Sequence, residues 1–329
     1  MSKFKKQLIL HIGFPKAGST TLQQKIFPNL KEVTYLDSLN FKSLHETIPR
    51  NPSDLSNLSP NTVASEWLAH LKKIDTPTAI LSNERLTWGI VDSMRNSGAD
   101  PKSVAKNIKR CFFDSIGDFV DIKVVILIRR AGDLLPSLYA EILKNELEKG
   151  RDFDDFVDKV LGSSSAVAWL YYKDMALEFF EEFGNRNVFI APFEGIFDIN
   201  NNKLRYSLAE FIGIDADQFE SIFDASHAAN KRSSKVGDYS IYVGKTRFTL
   251  AGSLIRKVWY IAKPTIKPLL RHGQLLSFKA FIKENLRSSR DRKIKISDNQ
   301  KREINSYFST SNKELSNYIG LNLQSYKYY

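Results

Sequence analysis

Over the first 200 residues, short apolar runs alternate with stripes of helical period. Gln7 to Gly13, Thr78 to Ser82, Ile122 to Ile128 and Asn187 to Ala191 read as strands, three of them near-continuously apolar. Strands covered on both faces have that composition. Between them, Asp100-Pro101 has the form of an N-cap and first helical position, opening a helix to about Ser115. Leu135, Leu138, Tyr139 and Ile142 repeat at helical spacing, as do Trp169, Tyr172, Ala176, Phe180 and Phe183, a stripe ended by Gly184. The alternation predicts an α/β fold, a three-layer parallel sheet with crossover helices.

Polar segments divide the chain further. Residues 38 to 62 read as a surface excursion, and 226 to 244 as a loop leaving the sheet. The end of the chain reads as helical, with Ser311 to Glu314 as a capping box before Leu315, Tyr318 and Ile319. The expected organisation is an α/β nucleotide-binding core over 1–244 and a basic, mainly helical C-terminal region over 245–329, packed on it.

Charge sharpens that division. The 329 residues carry a net charge of +11. Residues 245–295 alone hold fourteen Lys and Arg against two acids, Glu284 and Asp291, so the basicity belongs to one segment. Its mixture of cations with Trp259, Tyr260 and leucines suits an anionic membrane interface, a polyanionic glycan or a solvated cap. A content of 42% hydrophobic residues is enough for a sizeable core and excludes a disordered chain, while Cys111, the one cysteine, excludes an intrachain disulfide. No secretory signal or membrane span is legible, so a cytoplasmic protein, with peripheral membrane contact through 245–295, is expected. No Cys/His grouping has metal-ligand spacing.

Candidate chemistry begins at the first strand, which runs into Gly13-Phe-Pro-Lys-Ala-Gly-Ser-Thr-Thr21, with Leu22, Ile26 and Leu30 in helical spacing beyond. A strand, a small-residue loop and a helix start together make a P-loop-like anion cradle of backbone N–H groups, to which Ser19, Thr20 and Thr21 add hydroxyls. Gly13 and Gly18 have Walker A spacing, but Ser19 stands where an NTPase places its lysine, and the loop's lysine is Lys16. A second cluster follows the strand Ile122 to Ile128: Arg129 at the strand's carboxyl end and Ser137 on the next helix, with Asp133 as its expected N-cap. Arginine with a hydroxyl clamps a phosphate monoester.

Pro15-Lys16-Ala17-Gly18-Ser19-Thr20, followed by an arginine and a serine eight positions apart, resembles the sulfotransferases that use 3′-phosphoadenosine-5′-phosphosulfate (PAPS). The ending Phe308 to Tyr329 is most similar to bacterial carbohydrate sulfotransferases. Family members often have proline two residues after the arginine; this chain has Ala131. The resemblance implies transfer of a sulfuryl group from PAPS to a carbohydrate hydroxyl, on a polysaccharide or glycolipid, without a metal. Pro15, Lys16, Ala17, Gly18, Ser19, Thr20 and Thr21 would hold the 5′-phosphate, with Lys16 neutralising the leaving oxygen, and Arg129 and Ser137 would hold the 3′-phosphate. Some relatives stack a tryptophan on adenine where this chain has Thr21. Glu84, in Leu81-Ser-Asn-Glu-Arg85, follows the second strand and is the candidate general base; His227 is its rival. Lys231, Arg232 and Ser233 occupy a loop that returns to the nucleotide in relatives. Two other readings compete: an ATP-dependent small-molecule kinase with a degenerate loop, against which Ser19 speaks, and a non-catalytic membrane or glycan adaptor, against which the intact motifs speak. Nucleic acid is not the expected partner.

Overall fold

The structure, a computed structural model, describes residues 5–48, 52–87, 99–145, 153–231, 241–248, 287–294 and 296–329. Five parallel strands form one sheet: β1 (Lys6–His11), β2 (Val33–Tyr35), β3 (Thr78–Ser82), β4 (Val120–Ile128) and β5 (Val188–Pro192), in the order β2-β3-β1-β4-β5. Leu8 pairs in register with Ala79 on β3 and with Ile122 on β4, so β1 lies at the centre. Parallel strands need crossovers, and the helices that supply them cover the apolar faces. All five residues of β3 are buried, as are Val124 to Ile128 of β4.

Helices pack on both faces. Lys6 and Gln7 are successive residues of β1 and point to opposite sides. The Lys6 ammonium donates to the Leu71 carbonyl at 3.0 Å, on the helix Pro60–Leu71, and the Gln7 amide donates to the Ile212 carbonyl at 2.9 Å, on the helix Lys203–Ile212. All four strands read from the sequence are present, Thr78–Ser82 with the expected ends and the others with one or both ends shifted by one or two residues. The helix after Asp100 forms too: the Asp100 carboxylate accepts from the Ser103 amide at 2.7 Å.

Several expectations change. The described part of residues 38 to 62 lies at the surface but is not an irregular loop: it forms Lys42–Glu46, a 3₁₀ turn Pro52–Asn57 and the start of Pro60–Leu71, anchored by buried Leu44, Ile48 and Leu55. Each turn buries only isolated apolar residues, too few to register as a period. The expected loop from 226 is helical as far as Lys231, in the helix Ala216–Lys231. The C-terminal capping box is Ser297 with Gln300, opening Asp298–Tyr307, whereas Ser311 to Glu314 lie inside the next helix, Ser309–Ile319. Tertiary contacts claim those residues: Ser311 Oγ accepts from the Lys173 amide at 3.2 Å, and Glu314 pairs with Lys173 at 2.7 Å.

The chain divides into one compact unit of 1–138, 151–237 and 297–329, and a second of 139–150 and 238–296. The last residues, 297–329, belong to the first unit. The helices expected toward the C-terminus are present as Asp298–Tyr307 and Ser309–Ile319, while Ile241–Phe248 and Arg287–Ile294 in the second unit form an antiparallel pair, β6 and β7. The rest of the basic segment lies outside the described residues. Among the described residues no helix is long and apolar enough to cross a membrane.

Candidate anion-binding site

The site forms at the carboxyl ends of β1, β3 and β4, beside the point where the strand order reverses, the place where ligands bind in open α/β sheets. The loop after β1 is tied to β4, with the Ile12 amide donating to Val125 O at 2.9 Å and the Phe14 amide to Leu127 O at 3.2 Å. Phe14 is fully buried, edge-on to Trp169 and Tyr172 at 5.9 and 5.5 Å, and this anchor fixes where the loop begins to turn. Pro15 and Ala17 are buried, and Lys16 between them is exposed with φ 66°. A non-glycine residue in the left-handed region is strained, and such strain gathers at functional sites. Gly18 has φ 84°, and a Cβ there would stand 2.4 Å from the Phe197 ring and 2.9 Å from Phe193. Both the conformation and the close approach require glycine.

Beyond Gly18 the chain turns helical through Ser19–Thr21 and continues as a π-helical turn, Leu22–Ile26. The first amides of such a segment have no partner within it. Not every amide of the expected cradle is available, however. The Ala17 N–H donates to Phe14 O at 3.1 Å and the Thr21 N–H to Gly18 O at 3.0 Å, because the tight turn closes on itself. Gly18, Ser19 and Thr20 remain as the amides that lead the helix. Ser19 is 2% exposed and its buried hydroxyl has no hydrogen-bond partner among the described residues. A buried orphan hydroxyl costs roughly 1–3 kcal/mol, which an anion seated at the turn would recover. Thr20 is exposed and Thr21 half-buried.

Arg129, directly after β4, joins the two motifs. Its Nη1 donates to the Lys16 carbonyl at 2.6 Å, its guanidinium lies 5.1 Å from the centre of the Phe193 ring, and its Nε is buried without a partner among the described residues. Residues 113 apart in sequence thus meet at the strained loop residue. Ser137 sits half-buried on the helix Ala131–Asn145, where its hydroxyl donates to the Asp133 carbonyl at 2.9 Å; its proton is engaged within the helix, leaving the oxygen to accept. Asp133 is in that helix's first turn rather than at its N-cap: its carboxylate pairs with Arg130 at 2.8 Å and Lys301 at 3.1 Å.

Glu84 opens a 3₁₀ turn, Glu84–Thr87, immediately beyond β3 and is half-buried. Thr87 Oγ1 donates to the Gly13 carbonyl at 2.9 Å and the Asn83 amide donates to His11 O at 2.9 Å, so this turn is fastened to the start of the anion loop. His227 and Lys231 lie in the last turns of Ala216–Lys231; Arg232 and Ser233 lie outside the described residues. Sequence reasoning missed Phe193 and Phe197, whose rings are 4.7 Å apart under Gly18 and Arg129. The signal available was the apolar pair in Pro192-Phe-Glu-Gly-Ile-Phe197, just past β5.

Below the loop, His11 is fully buried with Nδ1 2.6 Å from Ser82 Oγ, which also accepts from Gln23 Nε2 at 2.9 Å. Burial pushes its pKa from 6.5 down to about 4. The folded state therefore prefers the neutral ring, and the resulting stabilisation is complete above pH 6.5 and lost as pH falls toward 4. At 1.36 kcal/mol per pKa unit the loss is roughly 3 kcal/mol. Urea unfolding at pH 7 and pH 4 should show it in the wild type and not in His11→Gln; parallel pH dependence in the two proteins would remove His11 as the cause.

No family model and no curated protein matches the chain. Among solved structures, a sulfotransferase from Alicyclobacillus acidocaldarius aligns over 97% of this chain and 98% of its own length, with 9% identity and a TM-score of 0.50. A mouse sulfotransferase complexed with PAP aligns over 72% of this chain and 68% of its own, with 14% identity and a TM-score of 0.40. The sulfotransferase domain of a Synechococcus olefin synthase aligns over 72% and 82%, with 14% identity and a TM-score of 0.41. The likeness over nearly the whole of both chains shows that this chain has the α/β fold of the Alicyclobacillus sulfotransferase.

Proposed function

We propose that this protein transfers the sulfuryl group of PAPS to a hydroxyl of a carbohydrate acceptor, a polysaccharide or glycolipid. The observation that carries the reading is the Arg129 to Lys16 contact, which gathers two separate anion motifs at one sheet edge, each with a buried polar atom awaiting a partner. A 5′-phosphosulfate and a 3′-phosphate on one nucleotide need two such cradles. The shared fold with a sulfotransferase supports the same reading, and the ending Phe308 to Tyr329 supports the carbohydrate class. Ser19, buried where an NTPase has its lysine, argues against the kinase reading.

In this scheme Ser19 and the amides of Gly18 to Thr20 seat the 5′-phosphate, and Arg129 receives the 3′-phosphate together with the Ser137 hydroxyl, which turns its proton from the Asp133 carbonyl to donate to the anion. Glu84 accepts the proton of the acceptor hydroxyl as its oxygen bonds to sulfur. The bond from sulfur to the 5′-phosphate oxygen breaks in line, and Lys16 neutralises the charge arriving there. Glu84 takes the base role over His227 because its turn is fastened to the loop at Gly13. The net positive charge of residues 245–295 would draw the enzyme to an anionic surface that carries the acceptor. The reaction needs no metal, so incubation with ³⁵S-labelled PAPS and polysaccharide or glycolipid acceptors should transfer label in the presence of EDTA. Dependence on Mg²⁺ and ATP, with PAPS unused, would reject the proposal.

A further inference from the structure

The five residues from Arg129 to Asp133 are gripped along their backbone and side chains, and much of the grip comes from the end of the chain. Tyr172 Oη donates to the Arg129 carbonyl at 2.5 Å. The Arg130 amide and its Nε both donate to Glu194 Oε1 at 3.2 Å, and the other oxygen of that carboxylate accepts from Tyr328 Oη at 2.8 Å. Tyr328 is fully buried although it is the penultimate residue. The Gly132 amide donates to Asn305 Oδ1 at 2.7 Å, and Lys301 pairs with Asp133. A Cβ on Gly132 would stand 2.5 Å from the Lys301 carbonyl, so the two segments meet backbone to backbone. The tail is itself fixed, with Asn312 Nδ2 donating to the Tyr328 carbonyl at 3.0 Å.

This arrangement decides what Glu194 does with its charge. A largely buried carboxylate pairs with the cation that reaches it, here Arg130, the neighbour of Arg129 in sequence. Arg130 and the Tyr328 hydroxyl between them satisfy both its oxygens, which leaves the Arg129 cation for an external anion. We infer that residues 297–329 are a positioning element of the anion site, with Tyr328 acting through Glu194 and Arg130, and Asn305 through Gly132, to set the Arg129 guanidinium for the nucleotide's 3′-phosphate. The inference rests on the proposed assignment of Arg129.

Tyr328→Phe keeps the buried ring and removes only the donor to Glu194. Calorimetry on the intact chain should then show affinity for 3′-phosphoadenosine-5′-phosphate (PAP) reduced roughly five- to tenfold, the effect of one hydrogen bond. Affinity for 5′-AMP, which lacks the 3′-phosphate, should stay within twofold. KM for PAPS should rise by more than kcat falls. Asn305→Ala, which removes the acceptor of the Gly132 amide, should reproduce the loss, and this variant decides the matter if Tyr328→Phe does not fold. Folded variants that weaken both nucleotides equally, or neither, would overturn the inference while wild-type preference for PAP over 5′-AMP kept the proposed function standing. A wild type without that preference would overturn both. Arg129→Ala gives the ceiling of the effect.

Discussion

Lys16→Ala is expected to lower kcat by roughly 10²- to 10³-fold, about 3–4 kcal/mol of transition-state stabilisation, while the fold stays intact. The side chain is exposed, so its removal leaves no cavity. The strained φ of 66° is unchanged, because alanine carries the same Cβ, and the carbonyl that Arg129 holds is backbone. The substitution therefore isolates the ammonium. Steady-state rates with PAPS, beside a thermal melt, measure it. Near-normal turnover by a folded Lys16→Ala protein would take the lysine out of the mechanism and leave the loop as a binding element only.

Glu84→Gln should lower kcat by roughly 10²- to 10⁴-fold, the range for loss of a general base. Shape is conserved, and the turn it opens is held by groups that the substitution does not touch: the Arg85 amide donating to Asn83 Oδ1 at 3.0 Å and the Thr87 hydroxyl to Gly13 O. PAP affinity should consequently remain that of the wild type. Unchanged kcat would move the base assignment to His227.

These residues were legible because their signals are local. A continuous apolar strand followed by Pro15 to Thr20 marks an anion loop within one stretch of chain, and Arg129 is recognisable from its place at the end of another. Lys16, Arg129 and Glu84 come to one sheet edge because β3, β1 and β4 are neighbours and parallel; the alternating pattern implied the parallel sheet but not the order of its strands. The three-residue β2 was not legible: Val33–Tyr35 is too short for either period to show. Two Ser-x-x-(Glu/Gln) patterns compete near the end, and spacing alone favoured the wrong one. The helix containing Ser311 starts earlier, at Ser309, and the Ser311 hydroxyl is used by Lys173. Least legible were the contacts of Tyr328 with Glu194 and Asn305 with Gly132, which span 134 and 173 residues. No periodicity encodes such pairs; they follow from the packing of the last helices on the sheet.

The most direct measurement of the central claim is titration calorimetry of the wild-type chain with PAP, 5′-AMP and ATP, in EDTA and again with Mg²⁺. The two cradles joined at Lys16 predict PAP binding at least roughly tenfold tighter than 5′-AMP, since one anion more is clamped by a bidentate donor, with no gain from Mg²⁺ and no preference for ATP. Equal affinity for PAP and 5′-AMP, or tightest binding by ATP with Mg²⁺, would contradict it.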